Sequence, residues 1–354
     1  MIGRLGRVVA DLRGRPQTPR DFRIVAFLGH GSADRVLVRG RVVDHVPPTE
    51  AETGEDAWSA VCRTVARFSA DALPGAQLTV SVGTARAEAV SDRFGYFEAE
   101  LDVDLRAVDP VPTSEWVPGR VELAEPYRGI EAGQGTDVQI RVAGAGARFA
   151  VISDVDDTIL LTGAQRLSTM LQQTFTGSHL TRMPFAGAAE LYRAFADHAG
   201  AGHANPVFYV SSSPWPLHDF LTAFLDHRDF PHGPLLLRNL RGDLLDGRRI
   251  SHKVAHISEL LRVHADLPFV LVGDSGQRDP EIYAQIVRDH PGRVLAVYIR
   301  EVRLDPGDGR VEAVADAWNE GVPFVLVGDS VAAAEHAAGI GLIAPDAVES
   351  VRRA

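Results

Sequence analysis

The chain has 354 residues, 45% hydrophobic and 23% charged, an ordinary globular composition on a length that suits two domains. No apolar run reaches the ~18 residues of a membrane-spanning helix. No secretory signal is expected, and with Cys62 as the only cysteine a reducing cytoplasm is the default compartment. The formal net charge of −11 argues against a nucleic-acid partner, because an acidic surface repels phosphate backbones.

Residues 1–20 run against this trend, with five arginines and one aspartate. Ile2, Leu5, Val8, Val9 and Leu12 keep helical spacing, so a basic amphipathic helix and a Pro-containing linker are expected there. Such a helix either lies on an anionic membrane as a peripheral contact or packs on its own domain. Residues 21–147 read as an all-β, sandwich-like domain, with strands at 35–43, 77–82, 98–103, 120–123 and 138–142. A helix from Ala57 to Phe68 interrupts it. No catalytic constellation occurs in this part, which suits a structural or binding module.

Residues 148–354 alternate strands with helices, the pattern of an α/β doubly wound parallel sheet. Strands are expected at 149–153, 207–210, 235–238, 269–272, 294–299 and 324–327. Helices are expected to begin near Ala164, Gly187, Pro216, Ile250, Pro280 and Val331. Ligands bind such sheets at the carboxyl ends of the strands.

Four stretches there carry residues suited to phosphoryl transfer. The first strand leads into Asp154-Val155-Asp156-Asp157-Thr158. A carboxylate at Asp154 can attack phosphorus, and Asp156 can protonate the leaving oxygen and later deprotonate water. Alternatively, these aspartates satisfy free N–H groups at a helix start. The second strand ends in Ser211-Ser212-Ser213. Ser211, with Ser212 beside it, would bind a phosphoryl oxygen or simply cap a helix. Lys253 is the third. Of 36 basic residues it is the one lysine, and a compact ammonium is what a phosphoryl oxygen and a nucleophilic carboxylate would share. Its replacement by arginine is expected to fold normally and lose activity. The fourth is Gly273-Asp274, with Asp279-Pro280 following. Asp274 and Asp279 are hard oxygen donors suited to Mg²⁺, Asp279 directly, through water or as a helix N-cap, with Asp154 and the Asp156 carbonyl as further ligands. A similar string recurs as Pro323–Ser330, but Ala334 stands where the second aspartate would be. Asp329 is therefore expected to cap a helix.

The four stretches in this order resemble the haloacid-dehalogenase-like phosphohydrolases. Asp156 disfavours the dehalogenases, which do not need a second acid, and the ion-pumping ATPases, which carry threonine there. Tyr209–Trp215 and Gly273–Tyr283 narrow the resemblance to the actin-patch phosphatidate phosphatase catalytic-domain family. Gly29-His30-Gly31-Ser32 and the turn at Asp92–Phe97 are similar to the β domain that precedes it in bacterial relatives. The resemblance implies a small helical cap at about 160–205. Phe175, Leu180, Met183 and Phe185 of that cap would greet an acyl chain or pack onto the core. It also implies Mg²⁺-dependent hydrolysis of phosphatidate-like lipids. A soluble phosphomonoester as substrate, and an inert scaffold working through its β domain, are the alternatives.

Overall fold

A computed structural model describes residues 18–44, 71–106, 115–143, 146–155, 186–197, 204–238, 252–275, 278–301 and 318–354. The expected helices at 1–13, 57–68 and 164, most of the cap, and Asp156 lie outside the described residues.

The first nine strands are β1 (Phe22–Ala26), β2 (Gly29–Gly31), β3 (Arg35–Asp44), β4 (Asp71–Ala72), β5 (Gln77–Val82), β6 (Ala85–Val90), β7 (Tyr96–Asp102), β8 (Trp116–Leu123) and β9 (Gly135–Val142). They form one sheet in the order β1-β3-β2-β9-β8-β5-β6, with β4 and β7 also paired to β3. Alternation explains the strands. In β7, Phe97, Ala99 and Leu101 turn inward, while Glu98, Glu100 and Asp102 face water. The inward residues of β3, β5, β7, β8 and β9 share one hydrophobic core. Gly40 in β3 is required by crowding, since a Cβ there would stand 2.4 Å from the Val25 carbonyl and 2.5 Å from the Phe97 ring. All the expected strands are present, and β1, β2, β4 and β6 add to them.

The second sheet contains β10 (Ala150–Asp154), β11 (Val207–Pro214), β12 (Leu235–Arg238), β13 (Phe269–Asp274), β14 (Val294–Arg300) and β15 (Phe324–Val327). All its pairings are parallel, in the order β12-β11-β10-β13-β14-β15. The first strand is thus internal, and the chain leaves it in both directions. The strands are near-continuous apolar runs because helices cover both faces. On one face lie α1 (Ala188–Ala196), α2 (His218–His227), α5 (Ser330–Gly339) and α6 (Ala347–Arg353), through residues such as Phe195, Leu225, Ala337 and Val351. On the other lie α3 (His252–Val263) and α4 (Asp279–Asp289), through Leu260, Leu261, Ile282 and Ile286. Strand β11 continues through the serines to Pro214, so the alternative of a serine cap does not hold. Helix α4 begins at Asp279 itself, one residue before the expected start, with Arg278 at the N-cap.

The two sheets meet at α3. Arg39 of β3 donates to both carboxylate oxygens of Glu259, at 2.9 Å for the Nη1–Oε1 bond. Arg262 makes a second two-pronged pair with Glu100 of β7, at 2.7 and 2.8 Å. Between them, His30 Nδ1 lies 3.3 Å from His264 Nε2, and His30 Nε2 lies 3.4 Å from Glu259 Oε1. His30 Nδ1 and His264 Nε2 are within hydrogen-bond distance, so one of the two nitrogens carries the proton between them. This gives His30, from the Gly-His-Gly-Ser string, a structural place at the junction.

Burial holds the pKa values of both His30 and His264 below their ordinary value, with Arg141 and Arg293 adding to the effect on His264. Burial would raise the Glu259 carboxyl, but His30 and Arg39 outweigh it and hold it low. As pH falls below about 6.5, the unfolded chain takes up protons on these histidines that the native chain refuses, so unfolding free energy falls. Urea midpoints measured from pH 7 down to pH 5 should therefore decrease, and His264→Gln should flatten the slope by up to one proton. A midpoint independent of pH in that window would refute the buried neutral pair.

Candidate active site

Strands β10 and β13 are neighbours, and each ends on an aspartate, so Asp154 and Asp274 emerge side by side at the carboxyl edge. Asp279 reaches the same point from the first residue of α4, and Lys253 from the second residue of α3. Lys253 Nζ stands 2.6 Å from Asp154 Oδ1 and 2.7 Å from Asp279 Oδ1. The other Asp279 oxygen accepts from the Asp274 main-chain N–H at 3.3 Å. Each of Asp154, Asp274 and Asp279 offers an oxygen within 4.8 Å of the others.

The ammonium is not solvated: the Lys253 side chain is 4% exposed and that of Asp279 fully buried. This corrects the expectation that arginine would fold normally there, because a larger cation must overpack a closed site. Burial first, and then the Asp279 charge, push the Asp154 carboxyl well above its ordinary range, while Lys253 opposes the shift. Burial works against the Lys253 ammonium too, but Asp154 and Asp279 outweigh it and raise its pKa. Asp154 and Asp279 thus share one ammonium, with Asp274 close by. Both Asp154 oxygens are buried without an aligned hydrogen-bond donor among the described residues; the Lys253 contact is a charge contact off the bonding direction. A hard, oxygen-only donor set with surplus negative charge could hold a divalent metal ion.

Gly273 makes this geometry possible. A Cβ there would stand 2.7 Å from Asp279 Oδ2 and 2.8 Å from the Tyr283 ring. The repeated string near Asp329 provides the contrast. A Cβ on Gly328 would meet nothing within 4 Å, and Asp329 caps α5 by accepting from the Ala332 N–H at 2.8 Å. Asp329 is a cap, as expected.

Ser211 and Ser212 sit just past Val210, the residue in register with Asp154, but neither is hydrogen-bonded to the acidic cluster among the described residues. The Ser211 hydroxyl accepts from the Ser213 N–H at 3.0 Å. Two residues escaped the sequence reading. Arg300 is in register with Asp274 and lines the same pocket as Asp154. Tyr192 enters from α1, and burial raises its phenol to about 12. Its hydroxyl lies 2.6 Å from Ser153 Oγ. No signal marks Arg300 among so many arginines, and Tyr192 is one aromatic in an amphipathic helix. The pocket beside Asp154 and Asp274 is walled largely by apolar side chains, including Leu191, Phe195 and Phe230, with Asp329 and Ser330 also on its lining.

Comparison with known proteins finds similarity in the segment that carries these residues. The family model described as phosphatidate phosphatase APP1, catalytic domain, matches residues 149–301. Phosphatidate phosphatase APP1 of Saccharomyces cerevisiae is 30% identical over 155 residues, 43% of this chain and 26% of that protein. An uncharacterized protein of Schizosaccharomyces pombe is 28% identical over 160 residues, 44% of this chain and 26% of that protein. The chain spans about a quarter of the length of these curated relatives. A carbohydrate acetylesterase from Xanthomonas citri aligns at a TM-score of 0.27 and 12% identity over 86% of this chain and 59% of that one, too distant to carry an argument. The matched segment contains Asp154, Lys253, Asp274 and Asp279, and in that segment the chain is similar to the phosphatidate phosphatase APP1 catalytic domain.

Proposed function

We propose that residues 148–354 form a doubly wound haloacid-dehalogenase-like domain that hydrolyses phosphomonoesters, preceded by a separate β domain at 21–147. The first sheet has a hydrophobic core of its own, which supports the division, and Phe27 joins it to the core of the second. The reaction proceeds through a phosphorylated Asp154 with Mg²⁺ as cofactor. The carrying observation is the buried Lys253 ammonium set between Asp154 and Asp279, with Asp274 alongside.

In this reading an Asp154 oxygen attacks phosphorus, and the bond from phosphorus to the leaving oxygen breaks. Asp156 gives its proton to that oxygen. It then takes one from the water that attacks the acyl-phosphate, which releases phosphate and restores Asp154. Lys253 opposes the cost of burying the Asp154 charge, and Ser211 and Ser212 hold phosphoryl oxygens. Asp154, Asp274 and Asp279, with the Asp156 carbonyl, would hold Mg²⁺, which when bound supplies positive charge to the nucleophile and the phosphoryl oxygens.

Phosphatidate-like lipids are the substrates favoured, on two supports: the described activity of the yeast relative and the apolar wall beside the acidic cluster. No helix among the described residues is long and apolar enough to cross a membrane. We place the protein in the cytoplasm with a peripheral contact through residues 1–13. A phosphate-release screen tests the function. Phosphatidate, lysophosphatidate and soluble phosphomonoesters are each assayed with Mg²⁺ and with chelator. Phosphatidate should be hydrolysed, chelator should abolish release, and Mg²⁺ should restore it. Preference for a soluble ester would replace the lipid reading. Asp154→Asn should lower turnover at least ~10³-fold, the scale for loss of a member of a catalytic unit.

Lys253→Arg should reduce turnover by about 10²-fold, because a planar guanidinium cannot put one compact charge between two carboxylates. It should also lower stability by about 1–3 kcal/mol through overpacking. Undiminished turnover in this variant would remove Lys253 from the mechanism.

Gly273→Ala should weaken Mg²⁺ binding by about 10- to 100-fold, as displaced supports of metal ligands do. Gly328→Ala, at the open position of the repeated string, should change stability by no more than about 0.5 kcal/mol and leave Mg²⁺ binding unaltered. Calorimetric titration with Mg²⁺ separates the two variants.

A further inference from the structure

The peptide unit that follows Asp154 is held at both ends. On one side, the Val155 N–H donates to the Val210 carbonyl of β11 at 3.2 Å. On the other, the Ser153 hydroxyl donates to the Asp154 carbonyl at 2.9 Å. A serine hydroxyl has a single proton. Since Ser153 spends it on Asp154, the 2.6 Å contact with Tyr192 has one polarity: the Tyr192 O–H donates to Ser153 Oγ. The result is a directed chain from Tyr192 through Ser153 to the main-chain carbonyl of Asp154. Hydrogen bonds in such a chain polarise and strengthen one another.

The donor end is fixed in turn. The Tyr192 ring packs edge-on against Phe230, with centroids 5.1 Å apart. Helix α1 starts from Gly187 in the left-handed region at φ 77°, where a Cβ would stand 2.3 Å from the Val351 carbonyl of α6. Ser153 is buried and Tyr192 nearly so. The Tyr192 hydroxyl therefore reaches β10 from a helix wedged between neighbours, not from a mobile surface.

We propose that Tyr192 and Ser153 act as one positioning unit that sets the aim of the Asp154 carboxylate by pinning the Asp154–Val155 peptide. This rests on the reading of Asp154 as the nucleophile. Rotation of that peptide would swing the main chain from which the carboxylate projects, and misplacement of a reacting atom by about 1 Å can cost ~10²-fold in rate. Neither residue touches the reacting atoms, so each should affect turnover and not substrate affinity.

The test is a double-mutant cycle with Tyr192→Phe and Ser153→Ala. Both retain the packing volume except for a hydroxyl. Phosphate release and urea midpoints are measured for the wild type, both single variants and the double variant, with Asp154→Asn in parallel. Each single variant should lower kcat by about 10- to 100-fold with KM changed less than about two-fold, and the double variant should be no worse than the poorer single one. The urea midpoints should show the same non-additivity. Full kcat in Tyr192→Phe, or losses that multiply in the double variant, would overturn the unit even with Asp154→Asn inactive. Altered midpoints with unaltered kcat would reduce the pair to a purely structural bond and overturn it equally. Turnover that survives Asp154→Asn would instead sink the nucleophile reading, whichever way the cycle falls.

Discussion

Burying the Lys253 ammonium costs several kcal/mol in lost hydration unless carboxylates stand close enough to repay it. Asp154 and Asp279 do so at 2.6 and 2.7 Å, and each comes from a different element. The consequence reaches through the fold. Strand β10 must end where α3 begins, α4 must start with Asp279 turned inward, and β13 must pass close enough to Asp279 that only glycine fits at 273. The same contact explains why arginine, so abundant elsewhere, is absent at 253. A guanidinium would exceed the space between two buried carboxylates.

A charge cluster so constrained needs α3 to hold its place. The helix carries Lys253 at one end and Glu259 and Arg262 toward the other, where Arg39 and Glu100 of the first sheet grip it. His30 and His264 close the space between those ion pairs as a neutral, hydrogen-bonded couple. Phe27 adds a second point of contact by stacking on Trp215 at 4.4 Å, just beyond the serine run. The β strands therefore support two of the elements that shape the site.

The acidic cluster was legible because its chemistry is local. A buried strand ending in aspartate, a proline-led helix behind another, and one lysine in an arginine-rich chain are signals that need no tertiary knowledge. The serine run was read correctly as a strand end but wrongly allowed as a helix cap; β11 absorbs it, running through an irregularity to Pro214, which pairs again with Arg238 of β12. Tyr192, Arg300 and the role of Gly273 were not legible. Each depends on what approaches from elsewhere in the chain: Ser153 for Tyr192, Asp274 for Arg300, Asp279 and Tyr283 for Gly273. The repeated Gly-Asp-Ser strings make the point directly. The two are alike in sequence, but one glycine is crowded by a carboxylate and the other faces open space.

By itself, the sequence determined the periodicities that divide a sheet of alternating strands from one of continuous apolar strands, and it marked the carboxylates and the lysine that would gather at strand ends. Periodicity and residue type are properties of neighbours along the chain, and so they survive without a fold. The tertiary structure alone decided that α3 joins the site to the first sheet, that β11 runs on through its serines, and that a tyrosine 38 residues beyond Asp154 bonds the serine beside it. Those contacts depend on distances between segments remote in sequence, which no local pattern encodes.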